Sequence, residues 1–199
     1  MNIFDKIKGI LFNSEKFFSS INKEKTLKEA FKFYAVLAAF SAVMGYIIFL
    51  IFGDIFIASF LKIFNQLGAQ IPETSNLRTF GKTFLGYIIS VVGSFGSAAI
   101  LYVWLLIFGG KEGYPKAYQL SVYSQTPSLL LSWIPIVNLI SWVYSFILLV
   151  VGTRKIYNFS NTKSVLIYLI PLIILFIIGL MFFTLAIAFL STLNGSNLV

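Results

Sequence analysis

The residues Ala117 to Thr153, AYQLSVYSQTPSLLLSWIPIVNLISWVYSFILLVVGT, decide how this chain is folded. The run is thirty-seven residues long and carries no charge. A bilayer core takes about 20 apolar residues per helix, so the run is too long for one crossing and suits two short ones. The break falls at Trp133-Ile134-Pro135-Ile136-Val137-Asn138. Pro135 has no backbone N–H to donate and biases the residue before it away from helix. Trp133 and Trp142 flank the break, and tryptophan favours the headgroup level. The stretch predicts a helical hairpin, 117–134 and 139–153, with its tip at one membrane face.

The first arm is rich in polar side chains. Ser121, Ser124, Gln125, Ser128 and Ser132 recur at helical spacing on one face, and Thr126 and Pro127 interrupt its middle. A polar stripe is costly against lipid, so it is expected to face other helices or a wet cavity. Two readings follow: hydrogen bonding between helices around a proline kink, or a binding groove formed by these seven residues.

Working outward, the whole chain has the same character. It is 58% hydrophobic and 11% charged, with a mean hydropathy of +0.90, which describes an integral membrane protein. Cysteine and histidine are absent. Disulfides, thiolate chemistry, zinc sites built from Cys or His and histidine acid–base catalysis are therefore excluded. The net charge of +8 points to orientation in the membrane and to anionic headgroups, not to nucleic acid. Asp5, Glu15, Glu24, Glu29, Asp54, Glu73 and Glu112 are scattered outside the expected spans. They offer neither a carboxylate pair for hydrolysis nor an intramembrane group for proton coupling. Phe80-Gly81-Lys82-Thr83 resembles the end of a phosphate-binding loop, but Asn76 stands where that motif needs its first glycine. No catalysis, cofactor or metal is expected.

Residues 1–32 carry charge throughout and have no continuous apolar core, which argues against a cleavable signal peptide. Ile3, Phe4, Ile7, Ile10 and Leu11 share one helical face, with Asp5, Lys6 and Lys8 on the other. That pattern predicts an amphipathic helix lying on the anionic cytoplasmic leaflet. Phe17 and Phe18 are expected to sink into the same surface; the alternative is a cytoplasmic helix docked on protein with no lipid role. Thr26-Leu27-Lys28-Glu29 has the spacing of a capping box leading into the first span.

The expected spans are 33–53, 84–108, 117–134, 139–153 and 164–193, followed by a tail, 194–199. Residues 54–82 form the longest connection; 55–67 either continue a helix or lie along the surface, and 68–78 read as an aqueous loop. Gly86/Ser90 and Gly93/Ser97 in the second span are small-residue pairs suited to close packing on the small residues of the first. The last span is long enough to require tilt, protrusion or a bend at Pro171. With five spans and the N-terminus inside, twelve Lys and Arg fall on the inner segments and three on the outer ones. One crossing by 117–153 would split them nine to six. The positive-inside rule therefore favours an all-α fold of five transmembrane helices, N-terminus cytoplasmic and C-terminus outside.

Asn13–Phe18, Gly109-Gly110-Lys111, the string Tyr123-Ser124-Gln125-Thr126-Pro127-Ser128-Leu129-Leu130-Leu131-Ser132-Trp133-Ile134-Pro135, and Tyr144 to Gly152 before a basic connection together resemble the YIP (Ypt-interacting-protein) domain family. The similarity is to its short prokaryotic-type members and covers nearly the whole chain. It implies a five-span fold in a cell membrane, and a non-catalytic organising or adaptor role like that of trafficking-related members. The implied partners are the lipid bilayer and a protein client or a second copy of the chain. The Asp-Leu-Tyr-Gly-Pro motif of eukaryotic relatives is absent, so a GTPase partner is not implied. A small-solute channel or transporter is the alternative function.

Overall fold

The computed structural model describes residues 2–21, 26–66 and 76–195, with side chains described except at 54–66, 76–77, 135–136 and 188–195. Every regular element among them is helical: α1 (Ile3–Phe12), α2 (Ser14–Ile21), α3 (Leu27–Gln66), α4 (Asn76–Ile107), α5 (Tyr114–Ser124), α6 (Thr126–Leu131), α7 (Pro135–Tyr157) and α8 (Asn161–Gly195). Two compact units result, residues 1–158 and residues 159–199.

Within the first unit, α5 is the centre. All eight residues from Ala117 to Ser124 are buried, and α3, α4 and α7 pack around them. Tyr118 stacks on Phe95 of α4 with ring centroids 4.9 Å apart, and its hydroxyl lies 3.2 Å from Ser94 Oγ. The Tyr123 ring meets Phe17 of α2 and Phe33 of α3 edge-on, at 5.2 and 5.3 Å. Edge-to-face pairs of this kind each contribute about 0.5–1.5 kcal/mol beyond simple burial.

The break expected in the hairpin is present, and a second one precedes it. Residues 132–134 turn the chain, and Pro135 opens α7, where its missing N–H costs nothing. Upstream, the arm expected as one helix over 117–134 is divided at Gln125 into α5 and α6. Pro127 is the cause: with no N–H it cannot bond the Tyr123 carbonyl, and the Thr126 hydroxyl takes that carbonyl at 2.8 Å instead. Neither piece is long enough to appear among the helices able to cross a membrane. Among the described residues there are four of those: Leu27–Gly53, Arg78–Ile107, Val137–Tyr157 and Asn161–Ile187.

Other expectations shift. The first long helix runs unbroken to Gln66, so residues 55–66 continue it; most of the expected 68–78 loop lies outside the described residues. The second apolar helix begins at Asn76 rather than 84. It ends at Ile107 and is turned off by Gly109, whose φ of 80° suits glycine, while Gly110 donates its N–H to the Leu105 carbonyl at 2.9 Å. Glu29 does not close a capping box with Thr26, because its carboxylate accepts from Lys6 Nζ at 2.9 Å. Gly86, Gly93 and Gly96 have open space where a Cβ would go. They therefore do not mediate the α3–α4 contact, which instead uses a Tyr34–Ser90 hydroxyl bond of 2.8 Å. The tight approach falls at Gly152 of α7, where a Cβ would meet Leu120 at 2.5 Å and the Phe18 ring at 2.9 Å.

The second unit is dominated by α8. Ser160 Oγ accepts the Lys163 N–H at its start, and Pro171 sits inside the helix.

Candidate functional site

The polar stripe is brought together with a second set of hydroxyls from α7. Ser121, Ser124 and Gln125, at the end of α5, and Ser128 of α6 line a groove of about 430 Å³. Leu101 of α4 and Trp142, Ser145, Phe146 and Leu149 of α7 form its remaining walls. The proline break shapes its chemistry. Interrupting the helix at Gln125 frees the Ser128 N–H, which donates to Ser145 Oγ at 3.2 Å, while the Ser128 and Ser145 hydroxyls lie 2.8 Å apart. Ser128 Oγ also reaches the Ser141 carbonyl at 3.4 Å.

Most of the remaining stripe is bonded locally. Ser124 Oγ donates to the Ser121 carbonyl at 3.0 Å. Gln125 Nε2 donates to the same carbonyl at 3.0 Å and to Ser121 Oγ at 3.2 Å. Gln125 Oε1 accepts no hydrogen bond among the described residues. Thr126 and Pro127 are buried behind the groove and do not line it. Ser132 lies away from it, pairing with Ser41 of α3 at 2.9 Å. Five polar-stripe residues thus split: four meet in the groove, and the fifth ties the hairpin turn to the first long helix. Ser141 and Ser145 were missed from sequence. Their signal was a pair of serines one turn apart in an otherwise apolar helix.

The N-terminal residues form two helices separated by Asn13, with α2 packed on α7. Of the nine side chains expected at the membrane surface, Lys6, Ile10, Phe17 and Phe18 are buried within protein. Phe18 fits beside Gly152, Phe17 packs against Tyr123, and Gly9 leaves room for the Phe17 ring at 3.1 Å from where its Cβ would be. Burying such a ring stabilises by about 1.5–3 kcal/mol relative to leaving it in water. Phe4 and Lys8 remain exposed, Ile3, Ile7 and Leu11 are half-buried, and Phe12 joins them as a fully presented ring.

Charge fixes this arm in place. Lys6 Nζ, although buried, reaches Glu29 Oε2 at 2.9 Å and the Tyr123 hydroxyl at 3.2 Å. Glu15 of α2 pairs with Lys155 Nζ at 3.0 Å and with Arg154, both on α7. Those hydrogen bonds, Lys155's foremost, hold the Glu15 carboxyl below its ordinary value. Tyr144 donates to the Leu11 carbonyl and Lys116 to that of Ile21. No cluster of potential metal ligands occurs among the described residues.

Long apolar helices with charge kept to their ends define a multi-pass α-helical membrane protein. Within that class this chain belongs to the Yip1 domain family, whose family model matches residues 8–183. No match was found among curated proteins, and none among solved structures.

Proposed function

We propose that this protein is a non-catalytic organising or adaptor protein that crosses its membrane five times, N-terminus in the cytoplasm and C-terminus outside. One observation carries the reading of its role. The hydroxyls of the polar stripe are largely engaged in bonds inside the bundle, Ser128 with Ser145 at 2.8 Å and Ser132 with Ser41 at 2.9 Å, and none of the described residues lining the groove is ionisable. Such groups hold helices together; they do not transform a substrate.

The five-crossing arrangement is supported by the twelve-to-three distribution of Lys and Arg. Its third crossing is the broken pair α5–α6, which covers about 27 Å at 1.5 Å per residue. Irregular backbone at that depth is tolerated because α5 is enclosed by protein. In this reading Phe4, Lys8 and Phe12 rest on the anionic cytoplasmic leaflet, and the cell membrane is the site of action for a prokaryotic member. A protein client or a second copy of the chain is the organised partner.

The groove of about 430 Å³, with Gln125 Oε1 unspent, favours a second reading as a small-solute channel or transporter. Reconstitution into vesicles separates the two. The adaptor reading expects glycerol uptake no faster than in protein-free vesicles. Uptake above that background, reduced by Gln125→Leu, replaces it with the transporter.

A further inference from the structure

A second cavity lies away from the polar groove, at the junction between α1 and the start of α3. It encloses about 400 Å³ and is lined by Ile3, Lys6, Lys28, Glu29, Lys32 and Phe33. Three lysines face one carboxylate there, and that carboxylate is already paired with Lys6 at 2.9 Å. Lys28 and Lys32 are both exposed and one helical turn apart on the same face of α3. Like charges at this spacing repel and slightly destabilise a helix, so an anion seated between them relieves a cost built into the free protein.

The position within the fold says what kind of anion. The cleft opens at the first turns of Leu27–Gly53, an apolar helix long enough to cross a bilayer, which is headgroup level for a helix entering hydrocarbon. On α1, beside it, Phe4 and Phe12 are each 77% exposed, and aromatic rings presented at a membrane surface insert among acyl chains. Phe33 and Ile3 supply an apolar wall next to the ammonium groups. Cations and apolar walls together match a charged headgroup joined to hydrocarbon better than a free ion.

We infer that this cleft binds the phosphate of an anionic lipid headgroup, held by Lys28 and Lys32 over a floor formed by the Lys6–Glu29 pair. The inference deepens the membrane-surface placement of the N-terminal arm proposed above and rests on it. The same Lys6 ammonium lies 3.2 Å from the Tyr123 hydroxyl.

Equilibrium binding of dioctanoyl phosphatidic acid to the full chain in neutral-detergent micelles tests this directly. Saturable binding is expected, weakened roughly five-fold by losing one lysine and about thirty-fold by Lys28→Gln with Lys32→Gln. Lys8→Gln with Lys16→Gln, which removes the same charge elsewhere on the arm, is expected to change affinity by less than about three-fold. Dioctanoylglycerol, which lacks the phosphate, should not compete, and glycerol 3-phosphate, which lacks the chains, should compete only weakly. Absent or unsaturable binding, or equal loss in the two double variants, overturns the site. Competition by glycerol 3-phosphate as strong as by the lipid overturns the lipid assignment in favour of a free phosphate ester. Micelles present both faces of the protein at once, so a negative result counts against the cleft and leaves the topology to thiol labelling.

Discussion

Gly152 of α7 and Leu120 of α5 approach so closely that a Cβ on Gly152 would stand 2.5 Å from Leu120 Cδ1. The Phe18 ring closes the same gap from α2, with its Cε1 at 2.9 Å. One missing methyl group thus lets the N-terminal arm, the central helix and the basic end of α7 meet at a single point.

Gly152→Ala is therefore expected to destabilise the first unit by about 1–3 kcal/mol, the cost of overpacking a close-packed site. Gly93→Ala is the control: nothing lies within 4 Å of where its Cβ would stand, and alanine favours helix by up to about 1 kcal/mol. Unfolding in mixed micelles, followed by circular dichroism, should move the two midpoints in opposite directions.

Ser145 Oγ accepts the freed backbone N–H of Ser128, and the two serine hydroxyls share a bond of 2.8 Å. Ser145→Ala strands a half-buried donor at the proline break, whereas Ser124→Ala removes only a bond to a carbonyl within its own helix. Bonds of this sort average about 0.6 kcal/mol in membranes and reach about 1.7. The same unfolding assay should put Ser145→Ala near the upper figure and Ser124→Ala near or below the average.

The absence of native cysteine makes thiol probes clean. Ser124→Cys, at a position only 3% exposed, should resist small water-soluble thiol reagents in the folded protein, while Ser132→Cys near the hairpin turn should react. Reaction at Ser124 would favour a water-filled groove and with it the transporter.

Topology is read with the same reagents. Asn158→Cys and Asn194→Cys should label from opposite sides of the membrane, the first from the cytoplasm. Labelling of both from one side removes the five-crossing arrangement.

The Glu15 pairing gives the arm a pH dependence of definite sign. Its carboxyl titrates below the ordinary value of 4.5 because Lys155 and Arg154 hydrogen-bond the charged form. A lowered pKa means the undocked arm binds a proton more readily than the docked one. The contribution to docking is thus fully present above about pH 5 and is lost as pH falls through the docked value. The protection factors of the α2 amides, which allow for the slower intrinsic exchange in acid, should fall on acidification through that window, and Glu15→Gln should remove the dependence. Since Glu15 lies at the surface, high salt should weaken the effect.

Much of this was legible in the sequence because the bilayer acts on composition and on proline locally. Charge-free runs and their lengths marked the apolar helices, and Pro135 marked the turn at Trp133–Ile134 through a donor it lacks. The spacing of Ser121, Ser124, Gln125 and Ser128 put them on one face before any fold was known, since helical periodicity is a property of neighbours along the chain.

Only the tertiary structure decided what those faces meet. An apolar face does not say whether lipid or protein will cover it, so Ile10, Phe17 and Phe18 suit either, and only the fold buries them, Phe17 against Tyr123 of α5 and Phe18 beside Gly152 of α7. Lys6 and Glu29, Ser132 and Ser41, and Gly152 and Leu120 are paired across separations that no local period encodes. Gly152 looked like any glycine in a membrane helix, while Gly86 and Gly93, with the better-known spacing, stayed open. Periodicity fixes direction around one helix axis, whereas contact depends on how the axes are arranged against each other. That arrangement is set by the summed packing of side chains from the whole bundle.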